Sequence, residues 1–240
     1  MDIPIKPILL LADSQLLFWR DGDSLFMERI RRFLTVESPL AAYVGASNGD
    51  RPEFFELFRG AMAGIGITQC RHIPAEPSPA DLDFFDEAHL ILLAGGDVSL
   101  GWRAMRRSGL HSKILERYYG GAVLIGLSAG AIQLGHWGLA HPEDGPPELF
   151  ETLKLVPMVL DAHAEPEWPR LHGALSLAEE PIRGLGIPSG GGALLHPDLT
   201  LEAIRHPLVE LHRNDDGDIQ QSLLFPPPPG GIPEPDETVH

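Results

Sequence analysis

The chain predicts an α/β fold of the three-layer sandwich type, a mostly parallel central sheet covered on both faces by helices. Three observations carry this. Short continuous apolar runs alternate with longer amphipathic segments through the first 135 residues. The runs are apolar at every position, as expected for strands buried on both faces. Several end in small or Gly-rich loops before the next helical pattern, as in successive βαβ units.

In order, residues 8–12 read as a first strand. Residues 24–34 read as a helix with Ser24 as N-cap and with Leu25, Phe26, Ile30, Phe33 and Leu34 near one face. Residues 41–45 form a second strand, 46–50 the loop at its end, and 53–64 a helix with Pro52 in its first turn. Residues 68–73 are a third strand. A Pro-rich loop at 75–79 leads to a short helix near 79–85. Residues 89–94 are a fourth strand ending in Gly95-Gly96-Asp97, and 102–119 read as mostly helical. Residues 122–127 are a fifth strand running into Ser128, and 129–134 begin a helix. Beyond this the pattern loosens. Residues 138–147 read as polar loop, 155–160 and 182–187 as strands, and 193–196 and 209–212 as shorter strands. The expectation is one domain over residues 1–224. The Pro-rich, acidic stretch 225–240 cannot bury a core and reads as a disordered tail.

The 240 residues are 43% hydrophobic and 22% charged, ordinary for a globular protein. A net charge of −16 argues against nucleic acid and against an anionic membrane surface as partners. No stretch reaches about 18 apolar residues, and the N-terminus lacks the pattern of a signal peptide; a cytoplasmic location is expected. Cys70, the one cysteine, sits beside an apolar run and reads as a small buried hydrophobe.

The strongest chemical signal is Gly126-Leu127-Ser128-Ala129-Gly130-Ala131, placed between an apolar strand and a helix. A nucleophile must stand proud of the sheet edge, and a tight strand-to-helix turn with small neighbours achieves that. Helix capping is the competing role for Ser128. The N–H of Ala129 is one candidate oxyanion donor, and Gly96, after another strand, is a second. Serine needs a base. Of 11 histidines, His163 in Asp161-Ala162-His163 is best placed, downstream of the serine and after an apolar run. Glu143, Asp144 or Asp161 would orient it.

Gly95-Gly96-Asp97, the Ser128 motif and Asp161-Ala162-His163 together resemble the serine peptidases that include peptidase E (aspartyl dipeptidase) and cyanophycinase. Residues 42–47 (Ala-Tyr-Val-Gly-Ala-Ser) are similar to that family's second strand and following loop. The resemblance covers roughly residues 8–200. It implies a class I glutamine amidotransferase-like (flavodoxin-like) fold. It also implies Ser128 as nucleophile, His163 as base, and Gly96 and Ala129 as oxyanion donors. The acidic third member falls in the loop after the elbow helix, matching Glu143 or Asp144 loosely. Cyanophycinases carry glutamine where this chain has Val98 and Ala162, and several arginines where it keeps only Arg170, which argues against cyanophycin as substrate. Asp97 and Arg170 remain substrate-binding candidates, and Trp168 either lines the pocket or packs. The implied activity is hydrolysis of a peptide or isopeptide bond in a small peptide, without metal or organic cofactor. A homodimer is left open. The competing readings are an inactive amidotransferase-like binding module and an acyltransferase or amidohydrolase of a biosynthetic pathway.

Overall fold

The computed structural model describes residues 4–140, 145–164, 166–214 and 217–228. The strands are β1 (Ile8–Leu11), β2 (Arg20–Asp21), β3 (Ser24–Leu25), β4 (Leu40–Val44), β5 (Gln69–Ile73), β6 (Leu90–Leu93), β7 (Val123–Leu127), β8 (Trp137–Ala140), β9 (Glu148–Glu151), β10 (Met158–Ala162), β11 (Arg183–Ile187), β12 (Gly192–Leu195), β13 (Leu201–Ile204), β14 (Leu208–Arg213) and β15 (Ile219–Leu224). The helices are α1 (Gln15–Phe18), α2 (Met27–Arg31), α3 (Pro52–Gly64), α4 (Pro79–Asp86), α5 (Val98–Ser108), α6 (Leu110–Tyr119), α7 (Ala129–Leu134) and α8 (Pro169–Leu177).

The main sheet has seven strands in the order β13-β12-β1-β7-β6-β4-β5. The run from β1 to β5 is parallel, and β12 and β13 extend it antiparallel. Successive side chains of a strand face opposite ways. Leu9 and Leu11 of β1, Leu90 and Leu92 of β6, and Val123 and Ile125 of β7 therefore face one core, shared with Leu16, Met27, Ile30, Phe58 and Met62 of α1 to α3. Ile8, Leu10, Ile91, Leu93 and Leu124 face the other, shared with Phe85, Met105, Ile114 and Leu134 of α4 to α7. The three layers and the apolar character of these strands are the same fact, because both faces are covered.

A second sheet, β10-β11-β14-β15, pairs β10 and β11 in parallel and the rest antiparallel. One face, with Met158, Leu160, Leu185 and Ile187, joins the α4-to-α7 core. The opposite face, with Val159, Val209 and Leu211, is covered by Trp168, Leu171 and Leu175 of the α8 segment.

Four segments depart from the periodicity. Residues 24–34 are not one helix. Asp21 pairs with Ser24 across a Gly22-Asp23 turn, so Ser24 belongs to a hairpin and the helix is only Met27–Arg31. The expected helix over 102–119 begins earlier, at Val98, and is two helices. Gly109 adopts φ 79°, ψ 0°, closing α5 and opening α6. The stretch 138–147 is not all loop, because residues 138–140 belong to β8, which pairs antiparallel with β9. The strand expected at 155–160 is Met158–Ala162, and β13, β15 and α8 were not anticipated. β15 ends at Leu224, and residues 229–240 of the expected tail lie outside the described residues.

Candidate active site

The parallel strands β1, β7, β6 and β4 deliver their C-terminal ends to one edge. Leu11 lies opposite Leu127, Gly126 opposite Leu93, and Leu93 opposite Val44. The segments that follow, 12–14, 128, 95–97 and 45–48, therefore crowd together where ligands of open α/β sheets bind.

Ser128 is the turn between β7 and α7. Its backbone holds φ 50° and ψ −108°, rare for a residue with a side chain. Two contacts impose this. The Ser128 N–H donates to the Leu11 carbonyl at 2.8 Å, and α7 is pressed directly onto β6. A Cβ at Gly130 would stand 2.1 Å from the Leu93 carbonyl oxygen, and one at Gly126 would stand 2.6 Å from Ala131 Cα. Only glycine at both positions allows so sharp a turn.

His163 follows β10. It also has positive φ (46°), and its N–H donates to the Ile187 carbonyl at the end of β11 at 3.0 Å. Its Nε2 lies 2.9 Å from Ser128 Oγ. A serine hydroxyl within hydrogen-bond reach of an imidazole is the pair needed to generate an alkoxide-like nucleophile.

Gly95 and Gly96 form the neighbouring wall. A Cβ at Gly95 would be 3.4 Å from Ser128 Cβ, so this loop touches Ser128. Gly96 has φ 135°, and a Cβ there would stand 2.1 Å from the Ser47 carbonyl oxygen. That same carbonyl accepts the Asp97 N–H at 2.8 Å. Ser47 is in turn held by Gln133 of α7, both side chains being buried; Gln133 Nε2 donates to Ser47 Oγ at 3.0 Å and to the Val98 carbonyl at 2.9 Å. Sequence reasoning passed over Ser47 and Gln133. A buried amide in so apolar a helix was the available signal, because buried polar groups require partners.

Asp97 is exposed and caps α5, its carboxylate accepting the Leu100 N–H at 2.6 Å. It is not among the residues lining the pocket beside Ser128. Ala129, buried, opens α7, so its N–H precedes the intrahelical hydrogen bonds. Arg170, exposed on α8, lines a separate small cavity together with Asp161. Asp161 is buried at the end of β10, and its Oδ1 accepts the Ala162 N–H at 2.9 Å. The left-handed backbone at His163 ends the strand, so the alternation that would align residues 161 and 163 does not continue. Trp168 packs, its ring filling the space where a Gly186 side chain would be. Glu143 and Asp144 lie outside the described residues.

The pocket beside Ser128 and His163 has a volume of about 410 Å³. It runs from Ser128 between α1 and α3, with Leu17, Tyr43, Phe54, Leu57, Phe58, Leu92 and Leu127 in its walls and Asp13, Asn48 and Arg51 among its polar groups. Asn48 Nδ2 donates to Tyr43 Oη at 2.7 Å. Burial pushes the Tyr43 phenol up to about 12, so it is un-ionised near neutral pH. Cys70 on β5 is only half-buried rather than a fully buried hydrophobe, and partial burial raises its thiol to about 11. Among the described residues no group of three or more His, Cys, Asp or Glu side chains could hold a metal ion, and no helix is long and apolar enough to cross a membrane.

An α/β sandwich with a strained serine at a strand-to-helix turn, hydrogen-bonded to a histidine, has the arrangement of a serine hydrolase. The chain belongs to peptidase family S51, whose sequence model matches residues 8–198. Peptidase E of Streptomyces coelicolor (strain ATCC BAA-471 / A3(2) / M145) is 30% identical over 140 residues, covering 57% of this chain and 56% of that protein. The match thus spans little more than half the length of that relative. Two solved structures share the fold. A peptidase from an acI-B1 Actinobacterium has a TM-score of 0.69 at 15% identity, covering 94% of this chain and 98% of its own. A candidate Peptidase E protein from Listeria monocytogenes EGD-e has a TM-score of 0.60 at 13% identity, covering 84% and 99% respectively.

Proposed function

We propose that the protein is a serine peptidase that hydrolyses an amide bond of a small peptide through an acyl-enzyme. The observation that carries this is the 2.9 Å separation of Ser128 Oγ and His163 Nε2 at the mouth of a pocket sized for a small ligand. Membership of the S51 peptidase family supports it.

In this reading His163 accepts the Ser128 proton as the oxygen attacks the substrate carbonyl. The Gly96 and Ala129 N–H groups hold the resulting oxyanion. His163 passes the proton to the departing amine, the C–N bond breaks, and an ester to Ser128 remains. Water, losing a proton to His163, then attacks that ester. The acid is released and Ser128 recovers its proton. The carboxylate that orients His163 is assigned to Glu143 or Asp144. Support comes from the family resemblance, which puts the acidic member in the segment that follows α7.

The test is fluorophosphonate labelling with a dipeptide hydrolysis screen, comparing wild type with Ser128→Ala and His163→Ala. Wild type should form one adduct, mapped to Ser128 by mass spectrometry. Both variants should lose turnover by about a thousandfold or more with an unchanged circular-dichroism spectrum. A folded Ser128→Ala protein that hydrolyses the same peptide at the wild-type rate removes Ser128 as nucleophile.

A further inference from the structure

The walls of the pocket beside Ser128 are mostly apolar, and this bears on what the enzyme cleaves. Tyr43, Phe54, Leu57 and Phe58 face the space from β4 and α3, and Leu17 faces it from α1. Arg51 is the one Lys or Arg among the described lining residues. It is already engaged, its Nη2 lying 2.5 Å from Glu53 Oε1 and its guanidinium carbon 5.2 Å from the Phe54 ring centre. The acidic group of the lining, Asp13, is fixed near the end of β1 by the Gly190 N–H at 2.7 Å and the Gln15 N–H at 2.8 Å. A carboxylate side chain entering the apolar part of this space would lose water there and meet Asp13, while the one guanidinium of the lining, Arg51, is solvent-exposed and shared with Glu53, which disfavours it. A leucine or phenylalanine side chain would bury apolar surface against apolar surface.

Resting on the peptidase reading above, we infer that a residue flanking the cleaved bond carries a large apolar side chain that occupies this pocket. Specificity for aspartate is therefore replaced by specificity for leucine- or phenylalanine-sized side chains. Leu57, which is 46% exposed on α3, and Phe54, 38% exposed, form the part of the wall whose chemistry sets the preference. Neither belongs to the deep core, so their substitution reads specificity rather than folding.

The experiment is a kcat/KM comparison of Leu-Ala, Phe-Ala, Ala-Leu, Asp-Ala and Ala-Asp for wild type and Leu57→Arg. Fluorophosphonate labelling of the wild type and calorimetric binding of the same dipeptides to Ser128→Ala run in parallel. The best leucine or phenylalanine peptide should exceed its aspartyl counterpart by about tenfold or more. Binding to Ser128→Ala should show the same order. Leu57→Arg should move the ratio at least about tenfold toward the aspartyl peptide, because the new guanidinium supplies the missing cation. Labelled wild-type enzyme that prefers the aspartyl peptide, or a folded Leu57→Arg whose ratio stays put, overturns the inference. If the wild type takes up no probe and cleaves nothing, the peptidase reading falls, and the binding order to Ser128→Ala still decides what the pocket accepts.

Discussion

Replacing Gly96 by alanine tests the oxyanion-binding role proposed for its N–H. The glycine sits at φ 135°, a region closed to residues with a Cβ, and the added methyl carbon would stand 2.1 Å from the Ser47 carbonyl oxygen and 2.5 Å from its carbon. Backbone atoms cannot swing aside as a side chain would, and the Asp97 N–H already binds the same carbonyl at 2.8 Å. The loop must therefore retreat from residue 47, moving the Gly96 N–H off the position at which the proposed mechanism puts the oxyanion. Loss of one such donor costs about 2.7–4 kcal/mol of transition-state stabilisation, roughly 10²–10³ in kcat. Forcing a non-glycine backbone into this region costs a further ~1–3 kcal/mol of fold stability. In a chain of this length each kcal/mol lowers Tm by about 2–4 °C. Gly66→Ala supplies the control, since Gly66 also has positive φ (75°) but nothing lies within 4 Å of its added Cβ. It should carry backbone strain of the same kind and keep full kcat. Steady-state kinetics and thermal melts of both variants decide the matter. A Gly96→Ala enzyme that melts lower yet turns over at the wild-type rate would show that the Gly96 N–H takes no part in catalysis.

Two further outcomes follow from groups outside the pocket. Gln133→Leu leaves Ser47 Oγ and the Val98 carbonyl without their shared donor, at a cost of about 1–3 kcal/mol in stability. Because Ser47 braces the Gly96 loop, kcat should fall more than KM rises; a stability loss with unchanged kcat would limit Gln133 to a structural role. The Leu40 N–H donates to His89 Nδ1 at 3.2 Å, so that nitrogen must carry no proton, and burial together with the Arg117 charge holds His89 below the usual histidine range. Burial lowers His136 as well, with Lys154 adding to the effect. Unfolding therefore takes up protons below about pH 6.5, the ordinary histidine value. The contribution of these groups is complete above that pH and is lost as pH falls through their folded values. Tm should decline as pH falls below about 6.5, and His89→Asn should flatten the decline in part. An identical pH dependence in the variant would remove His89 as a source.

The elements legible in the sequence are those whose signal is local. Fully apolar runs such as Leu90–Leu93 announce buried strands, and the small residues around Ser128 announce a sharp turn, since both reflect constraints acting within a few residues. The pocket was not legible. Its walls come from residues 17, 43, 54, 57, 58, 92 and 127, and each of these alone reads as ordinary core. Local pattern also misjudged residues 24–34, where helical spacing of Phe26, Ile30 and Phe33 coexists with a Gly22-Asp23 turn that wins the first two positions for a hairpin. β15 (Ile-Gln-Gln-Ser-Leu-Leu) was missed because it is an edge strand, largely exposed, and lacks the apolar run that marks a buried one. His163 emerged only through its position after an apolar run, since eleven histidines offer no distinction by type.

That His163 meets Ser128 is a property of how two sheets are joined. Ser128 follows a strand of the main sheet and His163 a strand of the second, so no strand register fixes their separation. The link is the elbow helix itself. The carbonyl of Leu134, the last residue of α7, accepts the N–H groups of Leu155 at 3.1 Å and Val156 at 2.9 Å. Two residues on, the His136 N–H donates to the Met158 carbonyl where β10 begins. A helix of six residues thus starts at Ser128 and ends fastened to the strand that leads to His163. Ala131, Leu134, Met158 and Leu160 lie in one core, so packing reinforces the hydrogen bonds. A densely packed contact of this kind transmits a methylene-sized change as a shift of the parts around it. The serine-to-histidine distance is therefore set by the α7–β10 contact, below the active site, as much as by any group that touches the substrate.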